Sequence, residues 1–416
     1  MKKLFSYGAG EFLNKGLNIL LILLLPLFLT PEDYGTVSIL IGIESILILI
    51  LLMGQNNVLL RFFHNFKNRE KFLNSIFFIW IRNSIVFLVV SSVLLLFLYK
   101  ITLDSLYLYL LILVPIVILS TFREIHLILF RVLERVKDFI FLKAFYQIQK
   151  IIFIFILIYM DFNVLAYPLG ALVAVVSIFI FEVLSKNRVF TFKFLSYQYY
   201  KEKQFHLSKL LFLFGMPLMI HMISNLLLVN SDRFLIYYMM SAEDVGIYSL
   251  AYTISSSMIF FMYIAGLVFL PSFYKNHKTY TCDAKKALQK MTTYNLIVSI
   301  IVGSFIWLMA YFYIPVYGKE YSSVMDFLLI LLISYIIYPL YLHGNYKAML
   351  MKKNKEIPKA TFMALSMNIL LNIFLIPNFG LLGAAVATLI GNIILIILIN
   401  IIGTKKINNK GIYSGK

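Results

Sequence analysis

The sequence predicts an all-α polytopic membrane protein, with twelve transmembrane helices arranged as two pseudo-symmetric six-helix bundles. Three observations predict it. Apolar residues make up 61% of the chain and charged residues only 13%, a balance no water-soluble domain of this length needs. The apolar residues fall into twelve runs, each near the roughly 20 residues that a bilayer-spanning helix takes. One seven-residue pattern occurs twice, at Glu32–Ser38 and at Glu243–Ser249, 211 residues apart and so close to half of the 416 residues.

The first half contributes runs 8–29, 35–57, 75–98, 105–122, 139–160 and 162–181. The second half contributes 210–231, 245–270, 291–313, 327–346, 360–377 and 380–402. Their length selects helices over a barrel, whose strands need only about ten alternating residues. Run 8–29 has no small-residue cleavage site and leads straight into a second span, so it is read as a helix and not as a removable leader. The longest polar breaks are about 182–209 and 271–290. The first divides the chain into a lobe over 1–184, a linker over 185–209 and a lobe over 210–416. Thr30-Pro31-Glu32-Asp33 has the composition of a helix start, with Thr as N-cap, Pro in the first turn and acids at the positive end of the dipole. Ser241-Ala242-Glu243-Asp244 repeats that start. Both repeats therefore read as helix caps at the outer surface. The competing reading, a catalytic acidic pair, needs a larger outer loop than these few residues make.

Charge gives the orientation. Of the 37 lysines and arginines, 30 lie on the side that carries both termini. Only Lys100, Arg233 and Lys319 lie opposite, and Lys15, Arg82, Lys143 and Lys150 sit inside helices. The positive-inside rule makes the crowded side cytoplasmic, so the chain is expected in the bacterial cytoplasmic membrane with both termini inside. The net charge of +18 follows from this topology and suits anionic lipid heads rather than nucleic acid. The single cysteine, Cys282, has no internal partner, no Cys/His spacing suggests a metal, and no Walker-type Gly-Lys-Ser/Thr is present. No cofactor is expected.

Polar residues inside the spans are costly in lipid and mark cavities or partner helices. Helix one carries Glu11, Asn14, Lys15 and Asn18 on one face, where Glu11 and Lys15 can pair. Asn225 lies 211 residues after Asn14 and shares a face with His221 and Ser224. Helix five carries Lys143, Tyr146, Gln147 and Lys150, the last roughly 16 Å along its helix. Helix three adds Arg82 and helix two Glu44. Asn, Ser and Tyr in such places also serve as interhelical glue, and His221 reads more readily as a packing histidine than as a proton carrier. The cations Lys15, Arg82 and Lys150 against only Glu11 and Glu44 leave an expected positive interior. That interior suits a phosphate or pyrophosphate.

The order of several short segments carries a family resemblance. Lys15-Gly16, Leu25-Pro26-Leu27 and Thr30–Gly35 open the chain, followed by Met53-Gly54-Gln55 and Leu60-Arg61-Phe62. Phe214–Leu218, Ser231-Asp232-Arg233-Phe234 and Val245–Ser249 open the second half. Leu371–Pro377 and Gly380–Ala385 close it. Together they resemble the polysaccharide-transport branch of the multidrug/oligosaccharidyl-lipid/polysaccharide exporter superfamily, which includes O-antigen and capsule repeat-unit flippases. The resemblance spans nearly the whole chain and implies a MATE-like pair of six-helix bundles working by alternating access. It implies a flippase for an undecaprenyl-pyrophosphate-linked oligosaccharide, with Lys15 and Arg61 among the basic positions that meet it and no enzymatic step. Substrate contacts are accordingly expected at Lys15, Asn14, Asn18, Arg61, Arg82, Lys150 and Asn225. Coupling to H⁺ or Na⁺ is expected through Glu11, Glu44 or His221. Membrane lipids and the glycan polymerase machinery are the further expected partners. Two alternatives stay open: a drug/cation antiporter of the same superfamily, and a membrane glycan polymerase or glycosyltransferase.

Overall fold

A computed structural model describes residues 2–184, 208–277, 279–353 and 356–402. Among them there are helices and no strands apart from one isolated bridge residue. The first part contains α1 (Lys2–Leu24), α2 (Pro31–Leu52), the short α3 (Gln55–Phe62), α4 (Arg69–Thr102), α5 (Leu106–Val132), α6 (Val136–Tyr159) and α7 (Ala166–Leu184). After the linker come α8 (Met216–Met239), α9 (Ala242–Ser256), α10 (Met258–Asn276), α11 (Cys282–Tyr313), α12 (Val324–Ile336), α13 (Tyr338–Leu350) and α14 (Ile357–Ile401). Most of the linker, at 185–207, lies outside the described residues.

Among the described residues, eleven stretches are long and apolar enough to cross a membrane. The last of these, Ile357–Ile401, is two helices joined at Gly380, whose φ of 56° and ψ of −137° only glycine adopts without strain. Its two limbs pack side by side, Gly383 against Leu375 and Gly391 against Asn368. With those limbs counted separately, the twelve runs of the sequence each have a helix. The chain is a multi-pass membrane protein.

The helices extend past the hydropathy runs at their charged ends. Run 105–122 continues as helix to Val132, and run 291–313 begins as helix at Cys282. Lys, Arg and Glu are good helix formers, so hydrogen bonding continues where apolarity stops. Arg123 and His126, expected in a loop, are thereby on α5. Both repeated starts are capped as their sequences predict. The Asp33 N–H donates to Thr30 Oγ1 at 3.2 Å, and the Asp244 N–H donates to Ser241 Oγ at 3.1 Å.

The chain divides into two compact units, one of 1–18 with 39–226 and one of 19–38 with 227–416. The first unit is built on α5, α6 and α7, packed through small and apolar faces that bury Ala171, Ala174, Val117 and Ile154. The second is built on α9, α12, α13 and the limbs of α14, with Ala384, Ala385 and Ala387 fully buried. Within this second unit the two repeated starts meet. Gly35 faces the Ala242 carbonyl oxygen and the Gly246 nitrogen, and Gly246 faces the Pro31 carbonyl oxygen and the Gly35 nitrogen.

Candidate functional site

The first unit carries two groups of ionisable side chains that the sequence singled out. In one, Lys143 Nζ on α6 donates to Glu11 Oε2 on α1 at 2.6 Å, and both groups are largely buried. Lys15, one turn on from Glu11, is within electrostatic reach of both. Glu11 thus pairs across helices with Lys143, and its charge also reaches Lys15, the partner the sequence suggested along its own helix. Asn14 is half-buried, while Lys15 and Asn18 are exposed.

In the other, Tyr167 bridges opposite charges. Lys150 Nζ donates to Tyr167 Oη at 2.9 Å, and Tyr167 Oη donates to Glu44 Oε2 at 2.7 Å. Lys150 is 7% exposed and Glu44 5%. The Lys150 ammonium also lies 4.4 Å from the Tyr167 ring centroid. A buried cation and a buried carboxylate joined this way each relieve the desolvation of the other.

Arg82 stands apart on an exposed face of α4, its Nε and Nη2 donating to Asn83 Oδ1 at 3.3 and 3.2 Å. Arg61, exposed in the last turn of α3, holds its guanidinium 5.1 Å from the Phe214 ring centroid. Asn225 Nδ2 lies 3.3 Å from His221 Nε2, one turn back on α8. The candidate residues therefore form three local groups, around Lys143, Tyr167 and His221, with Arg61 and Arg82 separate.

Two further carboxylates lie inside helices, as does the further, largely buried cation Arg123. Glu182 lies one residue beyond run 162–181 but inside α7. Asp232 lies one residue beyond run 210–231 but inside α8, and it is 0% exposed. Arg233, its neighbour in the sequence, is the nearest cation along the chain. In the second unit Asp232 instead accepts hydrogen bonds from Asn372 Nδ2 at 2.6 Å, from Tyr248 Oη at 2.9 Å and from Thr388 Oγ1. Asn368 Oδ1 accepts from Asn372 Nδ2 at 3.2 Å and from Ser231 Oγ at 3.1 Å. Arg233 turns elsewhere, donating to Asn230 Oδ1 at 3.1 Å and lying 4.7 Å from the Tyr252 ring centroid. Neutral donors reach a buried carboxylate with less desolvation than a guanidinium would bring.

The signal for this site is in the sequence. Asp232, Asn368, Asn372 and Thr388 are polar residues at or inside apolar runs, and Asn368 with Asn372 share a helix face. Ending a window at the first charge hides Asp232. Chemically, the site is one negative charge ringed by side-chain oxygens and an amide. Among the described residues, no cluster of three His, Cys, Asp or Glu side chains suits a transition metal.

Residues 1–277 match the family model described as polysaccharide biosynthesis protein. No curated protein sequence matches the chain. Among solved structures, the fold resembles an inward-facing multidrug resistance MATE family transporter of the MOP superfamily. That match has a TM-score of 0.71 and 13% identity over 93% of each chain. It also resembles lipid II flippase MurJ in an inward closed conformation, with a TM-score of 0.64 and 14% identity over 94% of this chain and 86% of that one. A MATE structure in the bent conformation gives a TM-score of 0.63 and 13% identity over 96% and 94%. At these identities the likeness is one of fold.

Proposed function

The chain belongs to the polysaccharide biosynthesis protein family, and on that premise we propose that it is a flippase for a lipid-linked oligosaccharide. Its substrate is an undecaprenyl-pyrophosphate-linked repeat unit, moved from the cytoplasmic to the outer leaflet by alternating access of two six-helix lobes. The glycan belongs to an O-antigen or a capsule, and the protein works beside the glycan polymerase machinery. It resides in the bacterial cytoplasmic membrane with both termini inside, as the lysine and arginine asymmetry of the loops supports. It catalyses no bond change.

The observation that carries this reading is the set of exposed basic side chains: Lys15 and Arg82 on the apolar, membrane-length α1 and α4, with Arg61 at the end of the short α3 that follows the second span. Exposed cations within membrane spans suit a doubly charged phosphate group. The amide groups of Asn14, Asn18 and Asn225 can hydrogen-bond sugar hydroxyls. Lys150, tied to Glu44 through Tyr167, acts in support of that surface rather than as an open cation.

The buried Asp232 favours ion coupling. A carboxylate surrounded by Thr388, Tyr248, Asn372 and Asn368 gains most from a proton or a Na⁺ ion beside it. Glu11, Glu44 and His221 remain the coupling candidates of the first unit. The reading is tested with Lys15→Ala combined with Arg82→Ala in proteoliposomes. Loss of flipping by a folded double variant supports it, and full activity overturns the role of these cations.

A further inference from the structure

The first unit holds a third ionisable group that the flippase reading does not use. Glu182, near the end of α7, and His126, on α5, each expose 6% of their side chain. The His126 Nδ1 lies 3.4 Å from Glu182 Oε2. The same nitrogen lies 3.1 Å from the Phe122 carbonyl oxygen, one turn back on α5. A ring nitrogen that meets a carbonyl oxygen carries the proton, so Nδ1 donates to Phe122. Among the described residues, neither Glu182 oxygen accepts a hydrogen bond.

The walls are aromatic. The Phe122 ring centroid is 4.2 Å from that of His126 and 5.0 Å from that of Phe179, and Phe77 lies 6.0 Å from His126. The charged groups of the packed helices are mostly committed elsewhere. On α6, Lys143 binds Glu11 and Lys150 binds Tyr167. On α4, Arg82 binds Asn83. On α5, Arg123 donates to Glu124 at 3.0 Å and stacks 3.7 Å from the Tyr146 ring centroid. Among the described residues, Arg123 is nonetheless a cation whose charge reaches Glu182, and its Nε and Nη1 donate to no described group.

We propose that Glu182 and His126 form a buried proton-binding site in the first unit, with Arg123 as the residue that steadies Glu182 when the proton leaves. An ionised carboxylate with no hydrogen bond in an aromatic pocket is strongly disfavoured. A proton on the carboxyl group removes that charge. When the proton departs, the two unspent Arg123 donors are the nearby means of stabilising the anion. This site is separate from Asp232 and does not rest on the identity of the transported lipid.

The test is infrared difference spectroscopy on the full chain in lipid, between acidic and alkaline buffer. A protonated-carboxyl band that titrates in the wild type is expected to vanish in Glu182→Gln, to shift in His126→Gln and to persist in Asp232→Asn. An unchanged band in Glu182→Gln overturns the proposal, as does a wild type with no such band. Where Glu182→Gln does not fold, Glu182→Asp keeps a carboxyl group, and its band is expected at a displaced position. A band left at the wild-type position there overturns the proposal equally.

Discussion

Gly35 and Gly246 stand 211 residues apart in the sequence and back to back in the second unit, each facing the other's backbone. They are the equivalent glycines of the two repeated helix starts. Any side chain on either one meets a carbonyl oxygen of the opposing first turn, which cannot rotate away. Gly35→Val and Gly246→Val are each expected to destabilise the protein by about 1–3 kcal/mol, the usual cost of overpacking. Gly266→Ala, whose new methyl group would stand 3.6 Å from Tyr346 Oη, is expected to stay within about 0.5 kcal/mol of the wild type. Thermal unfolding of the purified chain in detergent checks all three.

Asp232 is the acceptor for three buried donors. Asp232→Ala leaves Tyr248, Thr388 and Asn372 without that partner, at about 1–3 kcal/mol for each orphaned group. Asp232→Asn keeps the shape and one acceptor, so its loss is expected to be smaller. The coupling reading adds a second outcome for the same variant. Flipping by Asp232→Asn is expected to lose its dependence on the Na⁺ or H⁺ gradient, as measured with and without an imposed gradient.

The Glu44–Tyr167–Lys150 bridge predicts a strong coupling energy. Glu44→Gln alone leaves the Lys150 charge buried, and Lys150→Met alone leaves the Glu44 charge buried. Each single variant is expected to lose about 3–5 kcal/mol, as when one partner of a buried pair is removed. The double variant should be more stable than the sum of the two predicts, by at least about 1 kcal/mol. A double-mutant cycle by denaturant unfolding measures that difference.

Glu11 neutralises one of two neighbouring cations. Glu11→Gln removes the carboxylate that Lys143 binds and whose charge reaches Lys15. The variant is expected to bind inorganic pyrophosphate a few-fold more tightly, since a partly exposed pair is worth up to about 1 kcal/mol. Isothermal titration at low and high salt checks this, with the gain expected to shrink as salt screens it.

The sequence carries most of the fold because length and apolarity dictate spanning helices almost without reference to tertiary contacts. The twelve runs, the caps at Thr30 and Ser241 and the chain reversal at Gly380 were all legible. The helix ends were not, because Arg123 and Glu182 stop a hydropathy window without stopping a helix. That error hid Glu182 and Asp232 just past the edges of their runs. Pairing was legible only within one helix, where spacing defines a face. Glu11 with Lys143 and Glu44 with Lys150 join residues more than 100 apart, and no local pattern selects among such partners. The repeated helix starts set a register between the halves that aligns Asn14 with Asn225, and Gly35 with Gly246 gives that register a physical contact.

The central claim is that the chain moves a pyrophosphate-linked oligosaccharide lipid across the bilayer. A fluorescent undecaprenyl-pyrophosphate-linked oligosaccharide in proteoliposomes, quenched by a reductant that reaches only the outer leaflet, measures this directly. The wild-type protein is predicted to bring the protected inner pool out to the quencher, while protein-free vesicles keep it protected. A folded wild-type protein that leaves the pool protected, yet exchanges an organic cation, would contradict the claim and favour a drug/cation antiporter.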